Sequence, residues 1–536
     1  MLKFNSRRSP VYGTRGMVAS SQPLASAAGL RILQRGGNAA DAAVAVAAAL
    51  QVTEPCSTGL GGDCFCLYFD AKTKTLSGIN ASGRAPAELS IDKLAELGIT
   101  GSLPPFSPHT VTVPGAAAGW VDTIEKFGTM TLREVLQPAI ELAENGFPVS
   151  PITAVSWQRG VPQLLNGPYG DELLINGRAP QAGEKIKLPT LANTLRELAE
   201  HGKAGFYEGP IAEAIVELVQ SMGSFMTLDD LKNHYNTYDK PISINYRGID
   251  VWELPPNGQG ITALIALNIL EEYDISSFKH LSVEHLHLLI ESLRLAFADT
   301  RWYVADPEKV AVPIQDLLSK DYAKRRSGLI DFDRANLNLA RGDPFSSSDT
   351  VYFCVVDGEG NACSFINSNY MGFGTGLVPK GCGFTLQNRG ANFSLDPEHP
   401  NCLEPNKRPY HTIIPGMMTI DGELFGPFGV MGGFMQPQGH VQVITNLIDY
   451  EMNPQEALDA PRFCIIDGLS NGKVALEEGI SIEVMSSLAR KGHTVVPTSG
   501  FARSIFGRGQ IILRDPDTGV MIAGSDPRAD GLAIGY

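Results

Sequence analysis

Residues 349–357 read Asp-Thr-Val-Tyr-Phe-Cys-Val-Val-Asp, and residues 362–367 read Ala-Cys-Ser-Phe-Ile-Asn. Both runs are rich in β-branched and aromatic residues, and the turn sequence Asp-Gly-Glu-Gly-Asn joins them at 357–361. This composition predicts the two strands of a β-hairpin. Upstream, residues 342–349 are mostly small and polar, as in a flexible linker. A polar linker that ends at a strand beginning with Thr350 therefore decides how the rest of the chain is interpreted.

Thr350 would become a catalytic residue if the Asp349–Thr350 bond were cut. A threonine hydroxyl inside a chain is a poor nucleophile because no base lies beside it. Cleavage would release an α-amine with a reference pKa near 8, and this amine can act as a local base. The strand would hold the nucleophile in place while the linker withdraws. Taken alone, the same residues also fit a linker followed by an ordinary strand, and that interpretation stays open at this point.

The composition favours a folded enzyme that acts on small molecules. The chain has 536 residues, of which 43% are hydrophobic and 19% charged. Its net charge of −15 disfavours nucleic acid and anionic membrane surfaces as partners. We find no apolar stretch of signal-peptide or membrane-spanning length, so we expect a cytoplasmic protein. The eight cysteines show no CxxC spacing and no histidines cluster, so we expect no metal, and nothing in the sequence implies a cofactor.

The rest of the chain reads as a mixture of helices and strands. Apolar spacing predicts helices at 25–33 and 39–49, separated by the stop signal Gly-Gly-Asn. Residues 132–324 are mostly helical in pattern, and the clearest helix there begins after Ser282, a predicted N-cap. A second hairpin is predicted at 413–420, turned by Asp-Gly.

A series of short motifs follows one order along nearly the whole chain. The motifs are Gly59-Leu60-Gly61-Gly62, Ser82-Gly83-Arg84-Ala85-Pro86, Val113-Pro114-Gly115, the strand at 349–357, Phe373-Gly374-Thr375-Gly376, Pro405-Asn406-Lys407-Arg408-Pro409 and Gly432-Gly433. Together they resemble the γ-glutamyltransferase family. The resemblance implies an α+β fold, the four-layer αββα sandwich of the N-terminal nucleophile hydrolases. It also implies a proenzyme that cleaves itself into a large chain, residues 1–349, and a small catalytic chain, residues 350–536.

The resemblance also implies roles for individual residues. Thr350 would attack the substrate amide carbonyl, with its own amine accepting and returning the proton. Ser368 stands where the family has a hydroxyl that orients the nucleophile. The backbone N–H groups of Gly432 and Gly433 would form the oxyanion hole. Arg84 matches an arginine that binds the substrate carboxylate, for which a guanidinium is well suited.

The predicted substrate pocket departs from the usual family pattern. Where the family has Asn-Asn-Gln-x-Asp-Asp, residues 387–392 read Gln-Asn-Arg-Gly-Ala-Asn, so Arg389 replaces the glutamine and Asn392 replaces a carboxylate. His411 and Thr412 replace paired serines, and Tyr370 replaces an asparagine that is common in bacterial relatives. We expect Arg389, Asn392, His411 and Thr412 to bind the substrate. These changes resemble a sub-branch related to cephalosporin and oxamate amidohydrolases.

The function implied by the resemblance is a γ-glutamyltransferase or glutathione hydrolase that cleaves γ-glutamyl amide bonds through an acyl-enzyme on Thr350. Arg84 keeps the chain close to the glutathione hydrolases. Two alternatives remain: an acylase for carboxylate-bearing acyl amides without an α-amine, of the glutaryl, cephalosporin or oxamate type, and an unprocessed pseudoenzyme that binds metabolites. The retained nucleophile argues against the pseudoenzyme. The expected partners are a small-molecule amide and the two chains of one precursor, and a homodimer is left open.

Overall fold

The computed structural model describes residues 8–337 and 349–536. Its strands are β1 (Val11–Gly13), β2 (Gly16–Ser20), β3 (Asp63–Asp70), β4 (Thr75–Ala81), β5 (Phe147–Pro148), β6 (Lys185–Ile186), β7 (Ile242–Tyr246), β8 (Ile249–Glu253), β9 (Asp349–Asp357), β10 (Ala362–Tyr370), β11 (Gly416–Ile420), β12 (Glu423–Met431), β13 (Phe463–Ile465), β14 (Val474–Glu477), β15 (Val495–Thr498), β16 (Arg508–Arg514), β17 (Met521–Ser525) and β18 (Leu532–Gly535).

The α-helices are α1 (Pro23–Gln34), α2 (Ala39–Thr53), α3 (Ile91–Glu96), α4 (Ala116–Phe127), α5 (Leu132–Asn145), α6 (Pro151–Leu164), α7 (Pro189–Tyr207), α8 (Pro210–Ser221), α9 (Leu228–Lys232), α10 (Gly260–Leu270), α11 (Val283–Tyr303), α12 (Ile314–Leu317), α13 (Lys320–Ser327), α14 (Met435–Ile448), α15 (Pro454–Asp459) and α16 (Ile482–Arg490). Across the described residues, no helix is both long enough and apolar enough to span a bilayer.

Two antiparallel sheets form the centre of the molecule. One has six strands in the order β18-β2-β9-β10-β3-β4, and the other has seven in the order β1-β17-β16-β12-β11-β8-β7. Strands from before and after Thr350 lie side by side in both sheets, as where β2 pairs with β9 and β8 pairs with β11. Neither segment on the two sides of Thr350 therefore completes either sheet alone.

Side-chain alternation along β9 separates the layers of the core. Val351, Phe353 and Val355 pack in a cluster with the outer helices α1, α2, α4 and α5, whereas Tyr352, Cys354 and Val356 pack between the two sheets. A further cluster, which includes α10, α11 and α14, covers the outer face of the seven-stranded sheet. The layers therefore run helix, sheet, sheet, helix, which confirms the α+β, four-layer αββα fold.

The local predictions from the sequence agree with the described elements. Asn38 caps α2 by accepting hydrogen bonds from the backbone of residues 40 and 41, and Ser282 caps α11 in the same way from His285. The two predicted hairpins are β9–β10 and β11–β12. Helix α2 is fully buried because its run of alanines allows the helix to lie close to β9, β10 and neighbouring helices.

The region around Thr350 lies at one end of the layer between the sheets. Thr350 shares a face of β9 with Tyr352, so its side chain points into that layer. Ser368 lies opposite Asp63 in the pairing of β10 with β3. The pairing of β10 with β9 is irregular between Asn367 and Tyr370, which disrupts the end of the hairpin.

Candidate active site

Thr350 and Ser368 are in direct contact. Their hydroxyl oxygens lie 2.9 Å apart, and both side chains are fully buried. The contact follows from the hairpin, because continuing its register by one residue beyond the Asn367–Val351 pair places Ser368 opposite Thr350. Ser368 Oγ also accepts a hydrogen bond of 2.9 Å from the backbone N–H of Tyr370. The two hydroxyls predicted to act together are thus brought together by the fold.

Arg389 is a buried cation beside this pair. Its guanidinium donates to Ser368 Oγ at 3.1 Å and to Thr412 Oγ1 at 2.6 Å, and it stacks on the ring of Tyr370, 4.4 Å from the ring centre. In the described part of the chain no acid lies within salt-bridge distance of it, so it does not pair with Asp396. Burial lowers the pKa of Arg389 to about 10, with the carboxylate of Asp63 opposing the shift, so the guanidinium remains charged near neutral pH.

His411 and Asp63 form a second buried pair next to Arg389. His411 Nε2 lies 2.9 Å from Asp63 Oδ2, and neither side chain is exposed. Burial lowers the pKa of His411 to about 3, and the charge of Arg389 adds to the shift. Burial alone would raise the pKa of Asp63, but the hydrogen bond from His411 and the charges nearby outweigh it and hold that pKa below its usual value. The pair is therefore a neutral imidazole that donates to a carboxylate.

Asp63 in turn fixes the backbone of two predicted motifs. Its Oδ1 accepts hydrogen bonds from the N–H groups of Gly83 and Gly115, at 3.0 and 3.1 Å, and from Gln387 Nε2 at 2.9 Å. The motifs that the resemblance placed far apart along the chain thus meet at one carboxylate.

Asn392 belongs to a neutral hydrogen-bonded group. Its Oδ1 accepts a hydrogen bond of 2.6 Å from the Tyr370 hydroxyl, and its Nδ2 donates to the carbonyl oxygen of Tyr410 at 3.1 Å. Tyr370 occupies a backbone conformation with φ of 77°, which bulky residues rarely adopt, so the ring is held by its surroundings. Tyr370 therefore contacts Asn392 through its hydroxyl and Arg389 through the face of its ring.

Gly432 and Gly433 follow the end of β12 and begin the turn into α14. Their φ angles, 135° and 60°, lie in the region that favours glycine. Among the described residues, no acceptor is recorded for either N–H group. Gln259 holds this turn near the Arg389 group, because its Nε2 donates to the carbonyl oxygens of Thr412 and Gly433, at 2.7 and 2.8 Å. Two N–H groups with no acceptor recorded in the described structure, on a fixed turn, fit the predicted oxyanion hole.

A cavity of about 410 Å³ opens beside these groups. Tyr370, Asn392 and Phe434 form part of its wall, and so does the half-buried Arg301, whose guanidinium lies 4.5 Å from the ring centre of Phe434. The remaining wall combines aromatic and polar side chains, including Trp302, Tyr410, Ser394, Asn401, His399 and Asp396. The cavity wall thus combines one guanidinium, one carboxylate and several aromatic rings, and it meets the Arg389 group at Tyr370.

Arg84 lies apart from the group formed by Thr350, Ser368 and Arg389. Its guanidinium forms an ion pair of 2.7 Å with Glu308, donates to the carbonyl oxygen of Tyr235 and stacks on the Tyr235 ring. These residues line a second cavity, which shares no wall residue with the cavity beside Tyr370. The structure thus does not bring Arg84 together with Thr350, Ser368 and Arg389, and its role in binding the substrate carboxylate stays a prediction.

The comparisons with known proteins agree with this geometry. The sequence profile described as Gamma-glutamyltranspeptidase matches residues 25–536. The chain belongs to this family. Among curated proteins it is 39% identical to the glutathione hydrolase-like YwrD proenzyme of Bacillus subtilis, covering 98% of this chain and 99% of that protein.

Two further relatives differ in the activity that their names state. The oxamate amidohydrolase proenzyme of Klebsiella pneumoniae is 33% identical over 98% of this chain and 99% of that protein. The crystal structure of cephalosporin acylase from Bacillus halodurans superimposes with a TM-score of 0.93, at 44% identity, over 100% of this chain and 98% of that one. This γ-glutamyltransferase family member is accordingly an N-terminal nucleophile enzyme of the amidohydrolase or acyltransferase class.

Several residues at the site of this family member were not singled out from the sequence. Asp63, Gln259, Tyr410 and Arg301 each contact or line the site, yet they come from four separate segments. Two local signals were available: Asp63 follows the Gly-Leu-Gly-Gly motif, and Tyr410 precedes His411. Arg301 lies in the last turn of the long helix α11 and carries no motif.

Of the described residues, His287, Glu291 and His493 are a group that could hold a metal, with ligand atoms within 4.8 Å of one another. His493 is distant in sequence, so the spacing of histidines did not indicate it. Arg294 donates to His493 Nδ1 at 3.5 Å, which leaves the hydrogen of that ring on Nε2, 2.8 Å from His287 Nδ1. His287 Nε2 then donates to the carbonyl oxygen of Asp331 at 2.8 Å. The nitrogens satisfy one another, so we assign no metal to them.

Proposed function

We propose that this protein cleaves itself before Thr350 and then hydrolyses amides whose acyl group carries a carboxylate but no α-amine, such as glutaryl amides. Thr350 Oγ1 attacks the amide carbon while the Thr350 amine takes the hydroxyl proton. The resulting oxyanion accepts hydrogen bonds from the N–H groups of Gly432 and Gly433. The C–N bond breaks as the amine returns the proton to the leaving nitrogen, which leaves an ester on Thr350. Water, deprotonated by the same amine, then releases the acid and restores the hydroxyl.

The observation that carries the choice of acyl group is the environment of Arg389. A substrate α-ammonium needs a counter-charge, because an unpaired charge in a buried site costs several kcal/mol. Arg389 would repel it, and Asn392 offers a neutral hydrogen bond worth about 1 kcal/mol. In the described structure the Nε–H of Arg389 has no acceptor, so a substrate oxygen would satisfy it.

The cavity next to Tyr370 supports an anionic substrate in the same way. Arg301 contributes a guanidinium to its wall, and a guanidinium can hold a carboxylate through two parallel hydrogen bonds. The aromatic rings of Trp302 and Phe434 provide apolar surface for the leaving amine.

A second candidate is the hydrolysis of γ-glutamyl amides, since the Bacillus subtilis relative is named glutathione hydrolase-like. Asp396 in the cavity wall favours it, because a carboxylate could pair with an ammonium. Asp396 is exposed, however, so water screens such a pair to about 0–1 kcal/mol. With γ-glutamyl donors the reaction would belong to glutathione metabolism. We also propose that the protein acts in the cytoplasm.

The test compares kcat/KM for glutaryl-p-nitroanilide and γ-glutamyl-p-nitroanilide on the processed protein. We expect the glutaryl compound to be preferred. A tenfold or greater preference for the γ-glutamyl compound, equivalent to about 1.4 kcal/mol, would overturn the proposed acyl group and leave the second candidate.

A further inference from the structure

The side chain of Gln259 lies between the turn at Gly432 and Gly433, called the glycine turn below, and the segment before β11. Its Nε2 donates to the carbonyl oxygens of Gly433 and Thr412, at 2.8 and 2.7 Å. Its Oε1 accepts from the Tyr410 hydroxyl at 2.9 Å, and the whole side chain is buried. Since only an N–H can donate to a carbonyl oxygen, these partners fix the orientation of the amide.

The glycine turn needs a partner of this kind, because adjacent glycines do not hold a backbone conformation by themselves. At the start of α14, the carbonyl oxygen of Gly432 accepts from the N–H of Met435 at 3.0 Å. That of Gly433 accepts from the N–H of Gln436 at 3.2 Å, a longer contact than the 2.8 Å from Gln259. Gln259 thus supplies the shorter of these two contacts, from the part of the chain that precedes the predicted cleavage site.

We infer that Gln259 is a positioning residue for the oxyanion hole: it holds the glycine turn so that both N–H groups are in place before the oxyanion forms. The inference rests on the proposed roles of Thr350 and the glycine turn, and not on the identity of the acyl group. Donors that are already in place stabilise the developing charge without the cost of reorganisation. Through Thr412, whose hydroxyl accepts from Arg389, the same amide ties the turn to the Arg389 group.

The test replaces Gln259 with methionine in the full-length chain, which keeps the length of the side chain and removes its hydrogen bonds. The first readouts are kcat and KM of the cleaved protein on the better of the two anilide substrates. The second is the inhibition constant Ki of the matching boronic acid, in which boron replaces the scissile carbonyl carbon. Thr350 Oγ1 bonds to boron as its proton passes to the Thr350 amine, and the tetrahedral anion places an oxygen in the oxyanion hole.

We expect Gln259→Met to lower kcat at least about tenfold, to change KM less than threefold, and to raise Ki by the same factor as kcat falls. Gln442→Met is the matched control. Gln442 is also buried and also binds two backbone carbonyl oxygens, those of Gln438 and Phe463, at 3.0 and 3.1 Å. The control should lower the melting temperature but change kcat and Ki less than twofold.

Tyr410→Phe is a milder variant for the case that Gln259→Met does not fold or does not cleave itself. It removes the hydroxyl that orients the amide, so kcat should fall and Ki should rise by an equal factor of about three. An unchanged kcat, a loss of kcat without a matching rise in Ki, or an equal loss in Gln442→Met would overturn the inference. A preference for γ-glutamyl donors would leave it intact, whereas wild-type protein that stays uncleaved and does not bind the boronic acid would contradict the role of Thr350 and this inference together.

Discussion

The Tyr370 hydroxyl lies 2.6 Å from Asn392 Oδ1 and donates a hydrogen bond to it in the wall of the cavity. The contact fixes which end of the Asn392 amide faces the Tyr370 ring, because Nδ2 is already bound to the carbonyl oxygen of Tyr410. Both ends of the amide are therefore in use, and the group carries no charge. A substrate ammonium bound here would face the uncharged amide of Asn392, where the family pattern has a carboxylate.

Asn392→Asp should restore use of amine-bearing donors. The change keeps the size of the side chain and still accepts from Tyr370, but it adds the negative charge that an α-ammonium needs. We expect the ratio of kcat/KM for γ-glutamyl- over glutaryl-p-nitroanilide to rise at least tenfold, or about 1.4 kcal/mol. Loss of the bond to Tyr410 should lower the free energy of unfolding by about 1 kcal/mol.

The matched control is Ser102→Asp, which places the same charge in another part of the cavity wall. Its effect on the ratio should stay below threefold. If both variants shift the ratio equally, the general charge of the cavity, and not the group at Asn392, sets the donor preference.

Maturation should depend on Thr350 alone among the hydroxyls of β9. Purified wild-type protein should give two chains, residues 1–349 and 350–536, which stay together because both contribute strands to both sheets. Thr350→Ala should remain a single inactive chain, because alanine has no hydroxyl to act as the nucleophile in either self-cleavage or substrate hydrolysis. Intact mass spectrometry checks the prediction, and wild-type protein that is uncleaved yet fully active would show the nucleophile assignment to be wrong.

His411 should make the protein less stable at mildly acidic pH. Its pKa is about 3 in the folded state, against about 6.5 for an unfolded histidine. Between these values the unfolded state binds more protons, so the free energy of unfolding falls as the pH falls through this window. One such group contributes at most about 1.4 kcal/mol per pH unit.

His411→Gln should reduce that slope, because an amide can donate to Asp63 without titrating. Urea unfolding between pH 4.5 and 6.5 measures the slope, and His201→Gln, at a surface position, is the control. An unchanged slope in the His411 variant would mean that the imidazole is already protonated in the folded protein.

The sequence predicted the local parts of this site better than its three-dimensional arrangement. The hairpin that brings Thr350 and Ser368 together could be predicted from its alternation and turn, whereas the role of Ser368 came from the family resemblance. The partnership of His411 with Asp63 spans 348 positions and depends on how β3 and the loop before β11 pack, which no local pattern records. The direction of Arg389 is set by Tyr370, Ser368 and Thr412 together, so its residue type alone could not give it.

For Arg84 the sequence predicted the position of the backbone but not the direction of the side chain. Its motif occupies the expected place in the order of motifs, and Asp63 holds the neighbouring Gly83 at the site. The side chain nevertheless lies against Glu308 and Tyr235. A motif fixes the path of the backbone, whereas the direction of a long side chain follows from the charges and rings within its reach.

The two arginines give the last prediction, which concerns the acyl carboxylate. Arg301 lies in the wall of the cavity beside Asn392, whereas Arg84 is paired with Glu308 in the second cavity. We therefore expect Arg301→Gln to raise KM for glutaryl-p-nitroanilide at least tenfold with a smaller change in kcat, because an ion pair formed in both the ground and transition states contributes mainly to binding. Arg84→Gln, the matched substitution, should change KM less than threefold and leave cleavage before Thr350 intact. Steady-state kinetics on both processed variants checks this, with melting temperatures to separate binding from folding. If KM rises strongly for Arg84→Gln and not for Arg301→Gln, Arg84 binds the substrate carboxylate and the substrate must reach the second cavity.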